Sequence, residues 1–426
     1  MNRFVQLTVI MVLLVSMAAS IVHAADRRQY QHGVELLEHP DGGYWLLWSS
    51  SPGNPPSGGK KVVVKSGEKC EYFTHDIYYA RIDPVAPIVN GDSLIALPEA
   101  QEPVSAAISD DGNILITYED GSENDVTENC SASIQQRYRL YNSRLEPKTA
   151  IHTVATRGGH SGHAAAGGDR FIIAYAEGWV YGGGVDGAGT ANDIHVDVID
   201  SHGVDIHHQA ITMDSGDPRD WWPMVAASKR YALLVWQRWV ANRRYADLMY
   251  SVYDLQRNEL IREVALLKSN VLYYHYNVQY LAAVNRFLVT GANLGNMRVR
   301  LSGKNIAVTT PKAFTYLLSE TGKVISQWQA REACKDCGSY QTYVPVREAQ
   351  PAIYNSNAVV KVLYPVKPGG LLLYRISANN IGTPQYIAGR HNWFPLGIDG
   401  VFFNASQAFF ANLTPSGIKS VIVELH

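Results

Sequence analysis

The chain of 426 residues is 46% hydrophobic and 18% charged, with 35 Gly and 19 Pro, a composition too apolar for a disordered protein. Its 37 Lys and Arg against 39 Asp and Glu give a formal charge of -2, which excludes a protein that holds nucleic acid through a generally basic surface. An anionic ligand must therefore be met by cations placed locally.

At the N-terminus, Arg3 precedes an apolar run from Leu7 to Met17 and a small-residue stretch ending His23-Ala24-Ala25. Residues 1–24 read as a secretory signal, leaving 25–426 as one catalytic domain, secreted or periplasmic. The apolar run is shorter than the ~20 residues of a spanning helix, so no membrane partner is expected. Four cysteines are too few for a disulfide scaffold; they read as local staples or metal ligands.

Seven short apolar runs follow: Tyr44–Trp48, Ile114–Tyr118, Phe171–Tyr175, Tyr231–Trp236, Phe287–Thr290, Val359–Tyr364 and Ala408–Ala411. Their ragged spacing calls for repeated units with variable loops. Most are preceded by small residues, as in Ser105-Ala-Ala-Ile108, His163-Ala-Ala-Ala166, Val225-Ala-Ala-Ser228 and Leu281-Ala-Ala-Val284, and joined to them by a tight turn. This is a β-hairpin. Two further strand-like stretches complete each unit, such as Asp193–Val198 with Asp205–Ile211. The expected fold is all-β, a seven-bladed β-propeller with mostly four antiparallel strands per blade, whose first strands must be small where they converge on the axis. After Ala411 the last unit has room only for Lys419–Leu425, so it should have fewer strands or close with N-terminal residues.

The segments between second and third strands are long, including Ser49–Thr74, Glu177–Asp193 and Gly291–Lys312. All this extra chain falls on one face of a propeller, where a canyon over the channel mouth is expected. That face also receives the residues opening each first strand: Gln31 and His32, Glu102, His160 and His163, Arg219 with Trp221 and Trp222, Tyr276 and Tyr280, Arg347 and Glu348. Glu177 and Arg238 come from second-strand ends. Aromatic rings can stack on sugar faces and guanidinium groups can hold carboxylate or sulfate.

Gly158-Gly-His160-Ser-Gly-His163 sets two imidazoles at one strand entry. Their odd spacing points them to opposite faces unless the glycines admit a bulge. Arg238 lies one step beyond a strand-two run, close to the channel, and Tyr245 follows in the same loop. Cys334-Lys-Asp-Cys337 is half of a zinc site or a tight disulfide, with His275 as a further candidate ligand. Cys70 and Cys130 occupy equivalent loops. A serine-hydrolase elbow, Gly-x-Ser-x-Gly, does not occur.

Trp48-Ser-Ser-Ser51, Gly158–His163, Glu177-Gly-Trp179, Arg219-Asp-Trp-Trp-Pro223, Trp236-Gln-Arg238, Tyr245-Ala-Asp-Leu-Met249 and Arg347-Glu-Ala-Gln-Pro351 together resemble the ulvan lyases of polysaccharide lyase family 25, over nearly the whole mature chain. The resemblance implies β-elimination at a glucuronic or iduronic acid linked to 3-sulfated rhamnose in an anionic sulfated polysaccharide, with a histidine, a tyrosine and an arginine in the canyon. On that chemistry His160 or His163 and Tyr245 take the base and acid roles, with Tyr280 and Tyr181 as other tyrosine candidates. Arg238 neutralises the uronate carboxylate. Arg219, Trp222, Tyr280 and Arg347 would hold flanking sugars. No cofactor is required for the chemistry, and a zinc would be structural. The competing readings are a glycoside hydrolase of the same substrate class, using two of Glu102, Glu177 and Glu348, and a non-catalytic carbohydrate-binding propeller.

Overall fold

The computed structural model describes residues 31–425 except 40–41, 54, 66, 84–90, 122–133, 156–158, 178–192, 214–218, 240–244, 302–303, 331–342 and 357–358. The signal-peptide reading and Cys130, Tyr181, Cys334 and Cys337 lie outside the described residues. No described helix is long and apolar enough to cross a membrane.

The chain folds into successive antiparallel sheets. The first contains β1 (Gln31–Glu38) and β2 (Tyr44–Ser50); a two-stranded ribbon, β3 (Lys60–Lys65) and β4 (Glu68–Phe73), interrupts it before β5 (Asp76–Ile82) and β6 (Asp92–Ile95). The second is β7 (Ser105–Ile108), β8 (Ile114–Asp120), β9 (Gln135–Tyr141) and β10 (His152–Ala155). The third is β11 (His160–Gly167), β12 (Arg170–Glu177), β13 (Asp193–Ile199) and β14 (Asp205–Ala210). A seven-stranded sheet follows: β15 (Arg219–Ala227), β16 (Tyr231–Trp239), β17 (Ala246–Asp254), β18 (Glu259–Leu281), β19 (Arg286–Leu301), β20 (Lys304–Ser319) and β21 (Val324–Gln329). The next combines β22 (Val344–Pro345), β23 (Ala352–Tyr354), β24 (Val360–Lys367), β25 (Gly370–Ser377), β26 (Asn380–Ile381) and β27 (Gln385–Ile387). Three strands, β28 (Ile398–Asn404), β29 (Gln407–Thr414) and β30 (Gly417–Glu424), finish the chain.

The second strand of each unit is sandwiched between neighbouring sheets, which is why it reads as a continuous apolar run rather than an alternating one. Every residue of β8 is buried. Each apolar core accordingly lies between adjacent sheets: Ile173 and Tyr175 pack on Leu115 and Tyr138, while Ala174 and Val196 pack on Leu234 and Trp236. The ring closes the same way, with Val34, Leu46 and Trp48 of the first sheet against Phe409, Ala411 and Leu413 of the last. Each fully buried aliphatic side chain in such a seam stabilises it by roughly 1.5–3 kcal/mol.

Two sequence expectations need correction. Leu281–Val284 is not an inner strand: residues Ala282–Val284 form the single-turn hairpin link, with Asn285 left-handed at φ 51°, and the inner strand is the second half of β18. That strand bends, pairing with β17 up to Val271 and with β19 from there on, so two units share one sheet. Gly291–Lys312 is not a loop either; β19 and β20 continue their ladder unbroken from Arg286–Ser319 to Leu301–Lys304. The last unit has three strands, which agrees with the expectation of fewer than four.

β1, β7, β11, β15, β18, β23 and β28 line a central cavity of about 750 Å³. Ala106, Ala107, Ala164, Ala165 and Ala226 face it, because strands converging on an axis leave room for little more than a methyl group. The architecture is an all-β, propeller-like ring.

Candidate active site at the channel mouth

The inner strands do not enter the ring as regular ladders. Pairing slips between Gln31 and Val34 in β1, His160 and His163 in β11, Trp221 and Met224 in β15, and Val271 and Tyr276 in β18. Within these bulges Gly33, Ser161, Trp222 and Tyr274 have φ of 95°, 57°, 55° and 61°, and Glu348 just before β23 has 54°. For a tryptophan or tyrosine this conformation is a steric outlier, costing of order 1–3 kcal/mol, and persists only where surroundings over-determine it. Here they do. Tyr276 donates its hydroxyl to the Trp222 carbonyl at 2.5 Å and accepts the Gln237 N–H at 3.2 Å, while the Tyr274 N–H donates to Gln237 Oε1 at 3.1 Å.

The bulges aim one ring after another at the mouth. His163 meets Trp222 edge-on with centroids 5.3 Å apart; His32 stacks on the same indole at 5.8 Å; Tyr274 meets it at 4.9 Å. The Arg347 guanidinium lies 4.3 Å over the Tyr274 ring. Its Nε donates to Glu348 Oε1 at 2.7 Å, and the other carboxylate oxygen faces His32 Nε2 at 3.1 Å. Five inner-strand entries thus meet around Trp222.

Electrostatics differ sharply among these groups. Burial alone would push the Glu348 carboxyl up, but Arg347 and His32 hold it down at about 2, so it is ionised and cannot deliver a proton. Burial lowers His163 to about 4, although the Ser161 and Pro223 carbonyls favour its protonated form. Its Nδ1–H donates to the Ser161 carbonyl at 3.0 Å. The ring is therefore neutral at ordinary pH, half-buried, and at the top of the central cavity.

His160 is placed differently. It is 3% exposed, packed 4.4 Å from Trp221, with Nδ1 on Ser161 Oγ at 2.9 Å. Ser161 is in turn pinned by its N–H on Glu119 Oε1, and Gly162 by its N–H on Gln136 Oε1 at 3.1 Å. A Cβ at Gly162 would stand 2.2 Å from that Gln136 side chain, so the close approach requires glycine. The bulge lets two histidines three apart share one face, with His163 in reach of a ligand and His160 beneath it.

The remaining candidates separate. Trp222 is the hub of the mouth, and Arg347 is on it with 38% of its side chain exposed. Arg219 is buried, its guanidinium 4.8 Å over Trp221 and 5.4 Å from Trp239; it supports the floor. Arg238 forms a two-pronged pair with buried Asp220, Nε to Oδ1 at 2.7 Å and a terminal nitrogen to Oδ2 at 2.6 Å, so most of its charge is already met. Tyr245 is half-buried immediately before β17, two residues from Asp247, the ladder partner of Arg238. Tyr280 is a correction: it stands at the far end of β18, its hydroxyl 3.1 Å from both Asn285 and Glu320 at the hairpin end. At ~3.3 Å per residue the four steps from Tyr276 carry it to the opposite face. His275 donates Nδ1–H to the Tyr273 carbonyl at 2.8 Å. Cys70 pairs with Val63 in the ribbon. Tyr274 was not singled out from sequence; the run Tyr273-Tyr-His-Tyr276 held the signal, but only the bulge tells which ring turns to the mouth.

A second charged locus lies down the cavity wall, at the seam between first and last sheets. Asp399 accepts the Leu36 and Gly400 N–H groups, each at 2.6 Å, and Gln350 donates to Glu35 Oε2 at 2.9 Å. Burial raises both carboxyls, Glu35 to about 7, and Glu35 raises Asp399 further.

No family model and no curated protein matches the chain. Among solved structures it is similar to polysaccharide lyase Uly1, at 9% identity over 94% of this chain and 91% of that one, TM-score 0.49. It is also similar to the Pseudomonas aeruginosa periplasmic gluconolactonase PpgL, at 12% identity over 86% and 96%, TM-score 0.46. The Aleuria aurantia lectin AAL matches at 12% identity over 83% and 95%, TM-score 0.39. Likeness at this level leaves substrate and chemistry to the site itself.

Proposed function

We propose that the chain is an exported, seven-bladed propeller lyase that cleaves a sulfated, uronate-containing polysaccharide of the ulvan type by β-elimination. The supporting observation is His163: an imidazole kept neutral by burial, at the mouth of the central cavity, beside an arginine-bearing aromatic cluster. Elimination needs a neutral base for the C5 proton and a cation for the charge that builds on the uronate carboxylate. His163 takes the proton; the C5–H electrons form the C4–C5 double bond as the C4–O bond breaks. The leaving oxygen is protonated by a phenol, Tyr245 on the resemblance or Tyr274 on its contact with Trp222. Arg347 meets the carboxylate, with Arg238 a weaker candidate because Asp220 already engages it. His160 and Arg219 act from below, by positioning.

A hydrolase reading needs a carboxyl that can give up a proton at the mouth; Glu348, ionised down to about 2, does not supply one, and Glu102 is buried on His75, which leaves that reading with Glu177 alone. A structural zinc on Cys334, Cys337 and His275 fits the one ligand that is described, since a carbonyl-held Nδ1–H directs the other ring nitrogen to a metal. It has no step in the elimination.

The test is incubation of the purified protein with ulvan and other uronate polymers. A rise in ultraviolet absorbance from unsaturated uronyl ends is expected, and its loss by 10²–10⁴-fold in His163→Ala. New reducing ends without that absorbance would replace the lyase by a hydrolase. Binding without cleavage would leave a carbohydrate-binding propeller.

A further inference from the structure

On the outer part of the third sheet, two imidazoles face each other across β13 and β14. His195 pairs with Ala210 and Asp197 with His208 in the ladder, so His195 and His208 are diagonal neighbours on one face of the sheet. We propose that they form a binding site for a divalent transition ion of the Zn²⁺ or Cu²⁺ class, with two protein ligands, His195 Nδ1 and His208 Nε2, and water in the remaining positions.

The geometry has two parts. The facing nitrogens are 3.4 Å apart and the ring centroids 5.3 Å. Two imidazoles on one tetrahedral ion, each at about 2.0–2.1 Å, place their nitrogens about 3.4 Å and their centroids about 5.2 Å apart. Both spacings match those values, with the ring planes 23° apart.

His208 Nδ1 lies 3.2 and 3.3 Å from the two oxygens of buried Asp197 and 3.4 Å from the Tyr175 hydroxyl. A proton on that nitrogen, directed at the carboxylate, leaves the lone pair on His208 Nε2. His195 Nε2 faces Glu177 Oε2 at 3.6 Å, and with its proton on that side its Nδ1 lone pair meets the other across the 3.4 Å gap, where a cation joins the two rings. A carboxylate behind each ligating histidine is the arrangement that orients metal-bound imidazoles and raises their basicity.

Imidazole donors select Zn²⁺, Cu²⁺ or Ni²⁺ over Ca²⁺ and Mg²⁺. Among the described residues no group of three or more His, Cys, Asp and Glu is arranged around a metal, so the bound ion exchanges readily and acts as a clip between the edge strand β14 and β13 rather than as a folding nucleus. His208 is half exposed, which gives the ion its path.

The test is calorimetric titration of chelator-stripped full-length protein with ZnCl₂ at pH 7.5. Wild-type protein and His202→Ala, a surface histidine outside the pair, should bind one equivalent more than His195→Ala or His208→Ala. Circular dichroism should show all four folded alike, and should His195→Ala fold poorly, the more exposed His208→Ala decides alone. Asp197→Asn should retain the equivalent but weaken it about 10–100-fold. Equal stoichiometry in wild type and His208→Ala would overturn the site, as would equal heats from CaCl₂. Since cleavage does not enter, this outcome is independent of the lyase assay.

Discussion

The two ends of each inner strand obey different constraints. In the throat, β11 and β15 run as regular ladders of Ala164–Ala166 and Val225–Ala227, and the ring's diameter decides side-chain size. At the mouth β11 and β15 break register before His163 and at Trp222, β18 does the same at Tyr274, Trp222 and Tyr274 turn left-handed, and the segment before β23 brings Arg347 and Glu348. Regular pairing belongs to packing, and strained backbone to the site.

The contrast can be broken experimentally. Trp222→Ala removes the indole that His32, His163 and Tyr274 all touch; a loss of about 3–5 kcal/mol in denaturant unfolding, with cleavage abolished, is expected. A variant of wild-type stability would show that the mouth does not depend on this hub. Arg238→Ala leaves buried Asp220 with its guanidinium gone, so a similar loss of about 3–5 kcal/mol is expected, larger than any separate effect on substrate affinity. Were stability unchanged and KM greatly raised, Arg238 would be a substrate-binding residue instead.

The pH dependence separates the two regions. With His163 at about 4, the acid limb of kcat/KM for cleavage should lie near 4 rather than near the ordinary histidine value of about 6.5. A limb at the ordinary value would point to another base. In the throat, folded Glu35 keeps its proton up to about 7 while the unfolded chain releases it near 4.5. The folded state binds the extra proton across that window, so this contribution is full below about 4.5 and falls as pH rises through 7. His163 acts in the opposite sense, and a comparison of variants isolates Glu35: wild-type stability relative to Glu35→Gln should drop by on the order of 1 kcal/mol per pH unit between 4.5 and 7. Parallel curves would mean that the carboxyl pair at the seam of the ring titrates normally.

The site was partly legible in the sequence because polar and aromatic residues at strand entries stand out against apolar runs. That rule placed His163, Trp222 and Arg347 at the end of the ring where the structure clusters them, and it misplaced Tyr280, since counting from an Ala-rich segment that proved to be the hairpin link moved it to the wrong end of β18. Arg219, His160 and Arg238 carry the residue types that the chemistry asks for, yet stacking, burial and Asp220 give them supporting work. The aromatic run around Tyr274 was visible but not which of its rings turns to the mouth, and the His195–His208 pair was invisible, as neither a bulge nor a diagonal cross-strand contact has a local signature.

Apolar periodicity and turn residues by themselves determined an all-β chain of hairpin units, because each unit must bury both faces of its second strand whatever its loops contain. Only the tertiary structure decided which side chains share the mouth and what charge they hold. Register shifts of a single residue set direction, and burial and long-range partners set protonation, and both depend on segments hundreds of residues apart meeting around one axis.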